Sequence, residues 1–111
     1  MKTKIFLIIS IFCINSAIAD SVVDMCSKSD KICACAASQL KNEIDADDYA
    51  LYEAIGADYI ANQAKGMDMG SAWDAAVKVE ASKRGSTSTK ILSKTNSIGR
   101  AHNKTIKSCS K

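Results

Sequence analysis

The amino-acid sequence predicts a small all-α protein: a four-helix up-down bundle stapled by two disulfides and preceded by a cleaved signal peptide. Three observations favour this class. Alanine is abundant, proline is absent, and apolar side chains recur at helical spacing without the alternating pattern of a strand. With 111 residues, the chain is long enough for one domain with a modest core.

The N-terminal segment predicts a secretory signal peptide. Two lysines precede an apolar run at residues 5–14, and Ala17 and Ala19 are the small residues that a signal peptidase reads. The run is shorter than the ~20 apolar residues of a membrane-spanning helix. We therefore expect cleavage of residues 1–19, a single α-helical domain at 20–111, and a periplasmic or secreted protein. A signal rich in lysine and isoleucine favours a bacterial source.

The first half of the domain predicts a short helical turn followed by two helices. The turn lies within residues 20–28, and Asp30 caps a helix over 31–44 whose apolar side chains share one face. The acidic run 45–48 starts the second helix, because carboxylates there bond free amides and complement the helix dipole. This second helix should end at Gly66.

The second half predicts two more helices. The third has Ser71 as its candidate cap and Gly85 as its stop, and the polar tract 86–89 caps the fourth. Six residues of the fourth helix, spaced three or four apart, form one stripe along its surface. The stripe consists of Ile91, Thr95, Ile98, His102, Ile106 and Cys109. Four helices joined by short links favour an up-down bundle.

Four cysteines outside the signal predict two structural disulfides, because paired thiols oxidise in exported proteins. Cys33 and Cys35 lie about 200° apart around a helix, so they cannot bond to each other. Cys33 shares the apolar face and Cys109 ends the stripe, which favours Cys33–Cys109 with Cys26–Cys35. The pairing Cys26–Cys33 with Cys35–Cys109 stays open. Redox or metal-binding use of the C-x-C motif is less favoured, because structural pairing accounts for all four cysteines.

A few side chains are candidate contacts for a ligand or partner. They are Trp73, Tyr52, Tyr59 and His102. Aromatic rings can line a pocket between helices, but more often they fill the core. The only histidine lies in the apolar stripe, so we expect it to be at least partly buried and structural. Met67 and Met69 are a weak Cu(I) signal and more simply plug the end of the core. No metal site is predicted.

The composition argues against several function classes. Residues 20–111 carry 13 basic and 12 acidic side chains, and no aromatic residue after Trp73 offers a stacking platform for nucleic acid. The fourth helix is weakly apolar for stable membrane insertion. No nucleophile, base and orienting acid can be assembled, so we expect neither an enzyme nor a cofactor. The sequence predicts non-enzymatic binding to another protein or envelope component; the alternative is a carrier of a small apolar ligand between its helices.

Overall fold

The computed structural model describes residues 20–111, so the predicted signal peptide lies outside the described residues. The described chain forms five helices and no strand. They are α1 (Ser21–Met25), α2 (Asp30–Glu43), α3 (Ala46–Ala64), α4 (Met69–Lys83) and α5 (Ser88–Cys109). The all-helical class is confirmed. The four-helix up-down arrangement stays a prediction, since α1 is a separate fifth helix in this part of the chain.

Local side chains decide where the helices begin and end. Four N-cap side chains accept a backbone N–H from the first turn of the helix that follows. They are Asp20, Ser29, Asp68 and Thr87. The predicted caps Asp30 and Ser71 are therefore wrong by one and three positions, because Ser29 and Asp68 offer their oxygens earlier. Gly66 and Gly85 follow α3 and α4 with φ of 100° and 63°, the left-handed geometry that favours glycine.

The core consists of two clusters that meet at Trp73. Helix α3 packs mainly against α4, α2 packs mainly against α5, and α1 contacts both α2 and α3. One cluster contains Val22, Ala37, Leu40, Tyr49, Tyr52 and Ile98. The other contains Leu51, Ile55, Ala76, Val77, Ala81 and Ile91. Trp73 is partly buried and packs against both clusters, so its ring joins the two halves of the core.

The two disulfides are confirmed, but the favoured pairing is wrong. The bonds are Cys26–Cys33, with Cα atoms 5.5 Å apart, and Cys35–Cys109, with Cα atoms 6.0 Å apart. Helix α1 packs against α2 and brings Cys26 back to Cys33, which is only 2% exposed. Cys35, on the other side of α2, then meets the end of α5. The prediction Cys33–Cys109 with Cys26–Cys35 overlooked this packing of α1.

Helix α1 lies directly on α3 at Gly56. A side chain built at this glycine would come within 2.6 Å of Met25 Cε and 3.1 Å of Ser21 Oγ. The preceding N-cap residue is also held by α3, because the Tyr49 hydroxyl donates to the Asp20 carboxylate at 3.1 Å. The close approach explains why glycine suits this position, and it places Met25 beside the aromatic residues of α3.

Candidate functional site

The four candidate contacts come together around one cleft. Tyr52 and Tyr59 reach it from α3, Trp73 from α4 and His102 from α5, and the cleft volume is about 380 Å³. The rest of the lining consists of Met25, Met69, Gly70, Asn103 and Ile106. The two tyrosines are seven residues apart, which places them on the same face of a helix. The volume falls within the ~300–1,000 Å³ typical of small-molecule sites.

The rings of the cleft contact one another edge to face. The Tyr59 and Trp73 centroids are 5.3 Å apart at 75°, and the Tyr52 and Trp73 centroids are 6.4 Å apart at 64°. The Tyr52 and His102 rings are 5.5 Å apart at 83°. Such geometry is the favourable one for aromatic pairs. The rings therefore hold each other in place and form a wall that exists before any ligand arrives.

A hydrogen bond links Tyr52 to His102 inside the protein. The Tyr52 hydroxyl and His102 Nδ1 are 2.9 Å apart. Burial raises the pKa of Tyr52 to about 12, so the phenol keeps its proton at neutral pH. Burial also lowers the pKa of His102, and the negative charge of Asp20 opposes this shift only in part. The imidazole is therefore neutral at pH 7. The Tyr52 hydroxyl has no other hydrogen-bond partner within residues 20–111, so its proton is satisfied when it donates to Nδ1, and we assign that tautomer.

The other nitrogen of His102 has no partner within residues 20–111. Its Nε2 is buried, and no group of the described chain hydrogen-bonds to it. A neutral imidazole that accepts at Nδ1 carries its proton on Nε2. The prediction that His102 is at least partly buried is confirmed, since the side chain is 3% exposed. His102 also has one ring nitrogen that is hydrogen-bonded and one that is not, so its polar groups matter as well as its packing.

Two methionines of the cleft were missed as site residues. Met69 lies at the start of α4 and is 66% exposed, and Met67 is also exposed, so the prediction that they plug the core is wrong. Met25 comes from α1. The one sequence signal for the exposure of Met67 and Met69 is that they lie at a helix start, on either side of the N-cap residue Asp68. The role of Met25 depends on the packing of α1, for which the sequence carried no signal.

A pair of acidic side chains lies between α3 and α4, apart from the cleft lining. Glu80 is buried and forms ion pairs with Lys83 Nζ at 3.6 Å and Arg84 Nε at 3.4 Å. Burial, followed by the proximity of Glu80, raises the pKa of the Asp58 carboxyl. Asp58 is therefore a titratable group of the helix interface. Within residues 20–111, no three histidine, cysteine, aspartate or glutamate side chains cluster as metal ligands would.

A larger cleft of about 530 Å³ lies beside the first half of α5 but has a different character. Lysines and Asp48 contribute to its lining, and no aromatic ring does. Lys94 Nζ is paired with the Asp48 carboxylate at 2.9 Å, so its charge is already partnered. The smaller cleft combines apolar walls with convergent polar groups, which is the pattern of a ligand site. We therefore place the candidate site at the aromatic cleft.

In comparisons with known proteins, the chain matches no family model, no curated protein and no solved structure.

Proposed function

We propose that this protein is a non-enzymatic binding protein that holds a small apolar ligand in the aromatic cleft. The proposal is carried by one observation: aromatic and imidazole side chains from three helices converge on a single cleft of about 380 Å³. Helical proteins commonly build ligand sites between facing helices, and such sites are mostly apolar with a few polar groups. Of the two predicted binding functions, the ligand carrier is the one that the cleft favours.

The size of the cleft indicates which ligands and affinities to expect. A ligand of one or two rings that buries ~200 Å² of apolar surface gains roughly 5 kcal/mol from desolvation. Part of that gain offsets the cost of immobilising the ligand. The walls are held by contacts among the rings themselves, so little further free energy is needed to order them. We expect dissociation constants for such ligands of roughly 0.2–1 mM.

The proposed place of action is an oxidising compartment, the periplasm or the extracellular space of a bacterium. Two disulfides support an oxidising environment. In the described part of the chain, no helix has the length and apolar character needed to cross a membrane. Export itself rests on the predicted signal peptide. N-terminal sequencing of the protein from its native host should give Asp20, and an intact Met1 would contradict export by this route.

Ligand binding can be tested with a probe that carries no polar group. Trp73 is the only tryptophan, so its indole N–H gives a single resonance in the ¹H–¹⁵N spectrum and reports on the cleft. Titration with α-methylstyrene should shift that resonance to saturation. An unchanged spectrum at the solubility limit of the probe would contradict the proposal.

Two glycines provide a matched pair of variants for this test. Gly70 lines the cleft, and a side chain added there meets only an Asp68 oxygen at 3.7 Å, whereas one added at Gly99 meets nothing within 4 Å. Gly70→Leu should therefore fill the cleft and weaken binding at least tenfold. Gly99→Leu should bind as the unmodified protein does. Equal affinities for the two variants would place the binding site elsewhere.

A protein or envelope component is the second candidate partner. The observation in its favour is the exposure of Met67 and Met69 around the start of α4, beside the cleft. Flexible methionines adapt well to the surface of a partner, and an apolar side chain of that partner would occupy the same cleft. Capture from an envelope fraction by the unmodified protein and by Gly99→Leu, but not by Gly70→Leu, is the result expected for this function.

A further inference from the structure

The unpaired nitrogen of His102 restricts what the cleft can hold. Tyr52 and His102 are both buried, and the hydroxyl of the first meets Nδ1 of the second at 2.9 Å. Within residues 20–111 the hydroxyl has no other acceptor for its proton, so we assign it as the donor to Nδ1, which leaves the imidazole proton on Nε2. No acceptor within residues 20–111 meets this N–H. A buried donor without an acceptor is unfavourable, and a ligand oxygen in the cleft would remove that cost.

The remaining lining favours an acceptor without charge. No lysine or arginine lines the cleft, and the charge that acts on the pKa of His102 is the negative charge of Asp20. A carboxylate ligand would therefore lose its hydration without gaining a cation, which is strongly unfavourable. A carbonyl oxygen loses less on leaving water and needs only one donor. Aromatic rings, thioethers and Ile106 supply most of the cleft lining and match an apolar ligand frame, and the Asn103 amide adds a polar group without charge.

We propose that the cleft binds apolar molecules that carry a neutral carbonyl oxygen, such as a ketone, ester or amide, and that His102 Nε2–H donates to that oxygen. This inference rests on the proposed function of the cleft and adds the class of ligand. Tyr52 acts as a positioning residue, because its hydroxyl holds the imidazole in the tautomer that can donate. Nε2 is covered from solvent, so the oxygen reaches it when the side chains that cover it move aside.

A pair of isosteric probes tests the carbonyl directly. Acetophenone and α-methylstyrene have nearly the same shape and differ in a C=O in place of a C=CH₂. Both are titrated against the protein and the Trp73 indole resonance is followed. The ratio of the two affinities is then compared between the unmodified protein and His102→Leu, so that the different water solubilities of the probes cancel. In His102→Leu, the affinity for acetophenone relative to that for α-methylstyrene should fall about tenfold, because the ketone loses one hydrogen bond to a buried donor.

A conservative variant and a direct measurement keep the test independent of the leucine variant's folding. In His102→Gln, the side-chain amide can supply an N–H near the position of Nε2, so preference for the ketone should be retained. The ¹⁵N spectrum of the His102 ring should show the proton on Nε2 and none on Nδ1 at neutral pH. The opposite tautomer would overturn the inference.

The outcomes separate the inference from the function on which it rests. If neither probe shifts the Trp73 resonance, the proposed ligand-binding function fails and the inference fails with it. If both probes bind and their affinity ratio is the same in His102→Leu, the cleft is a ligand site but His102 does not select the carbonyl. Tighter binding of benzoate than of acetophenone would also overturn the inference, since it would show that the cleft selects an anion.

Discussion

The two disulfides should contribute unequally to stability. Cys35–Cys109 joins the start of α2 to the end of α5 across 74 positions of the chain, whereas Cys26–Cys33 ties α1 to α2 across 7. A disulfide restricts the unfolded chain, and the restriction grows with the length of the loop that it closes. Replacing each pair with alanines removes one restriction at a time. The free energy of unfolding should fall further when the long-range bond is lost.

Loop-closure entropy sets the expected magnitudes. For these two separations it corresponds to about 4.5 kcal/mol for Cys35–Cys109 and about 2.5 kcal/mol for Cys26–Cys33 at 25 °C. Packing reduces this difference, because Cys33 of the short-range pair is buried whereas Cys35 is only partly so. Truncation of Cys33 leaves a void that costs roughly 0.5–1 kcal/mol. The entropic difference is larger. We therefore expect the variant without the long-range bond to be less stable by about 1–1.5 kcal/mol.

Urea unfolding followed by far-ultraviolet circular dichroism measures this difference. The two double variants, Cys35→Ala/Cys109→Ala and Cys26→Ala/Cys33→Ala, serve as controls for each other because each removes two sulfurs. A small domain has only about 5–15 kcal/mol of stability in total, so both series should be repeated with trimethylamine N-oxide, which favours the folded state. Peptide mapping of the unmodified protein establishes the connectivity first.

Two results would refute the reasoning. Equal free energies of unfolding, or a larger loss for Cys26→Ala/Cys33→Ala, would show that restriction of the unfolded chain is not the main effect. The short disulfide would then act chiefly in the folded state, by holding α1 on α2 and α3. A disulfide-linked peptide that joins Cys33 to Cys109 would contradict the connectivity itself.

Four other substitutions have defined outcomes. Asp58→Asn should raise the free energy of unfolding at neutral pH. The pKa of Asp58 is raised in the folded state, so Asp58 contributes its full stabilisation below the ordinary aspartate pKa. That stabilisation is lost as the pH rises through the folded-state pKa. The stability difference between variant and unmodified protein should therefore grow with pH in urea titrations, and a constant difference would contradict it. Tyr52→Phe should cost about 1–2 kcal/mol, because His102 Nδ1 loses its donor inside the protein; an unchanged melting temperature would argue against that bond. Gly99→Ala should stabilise α5 by roughly 0.5–1 kcal/mol, whereas Gly56→Ala should not gain stability, since its methyl group would meet α1. Equal effects at the two glycines would contradict the packing of α1 on α3.

The helices could be predicted because their signals are local. Cap side chains bond to amides two or three residues away, and Gly66 and Gly85 take the left-handed conformation that ends a helix. Predicted boundaries were therefore correct to within a few residues. The apolar stripe of α5 was confirmed as far as His102, but Thr105 is buried in place of Ile106, which is partly exposed at the cleft. Helical periodicity indicates a face, whereas the neighbouring helices decide how far along α5 that face is covered.

Only the tertiary structure decided which groups meet across the chain. Cysteine spacing excluded a bond between Cys33 and Cys35, but the choice between the two remaining pairings depended on the packing of α1. The same packing brought Met25 to the cleft. The contact between Tyr52 and His102 joins residues 50 positions apart. Local preferences depend on a few neighbouring residues and can be read along the chain, whereas these pairings depend on how several weakly patterned helix faces share one small core.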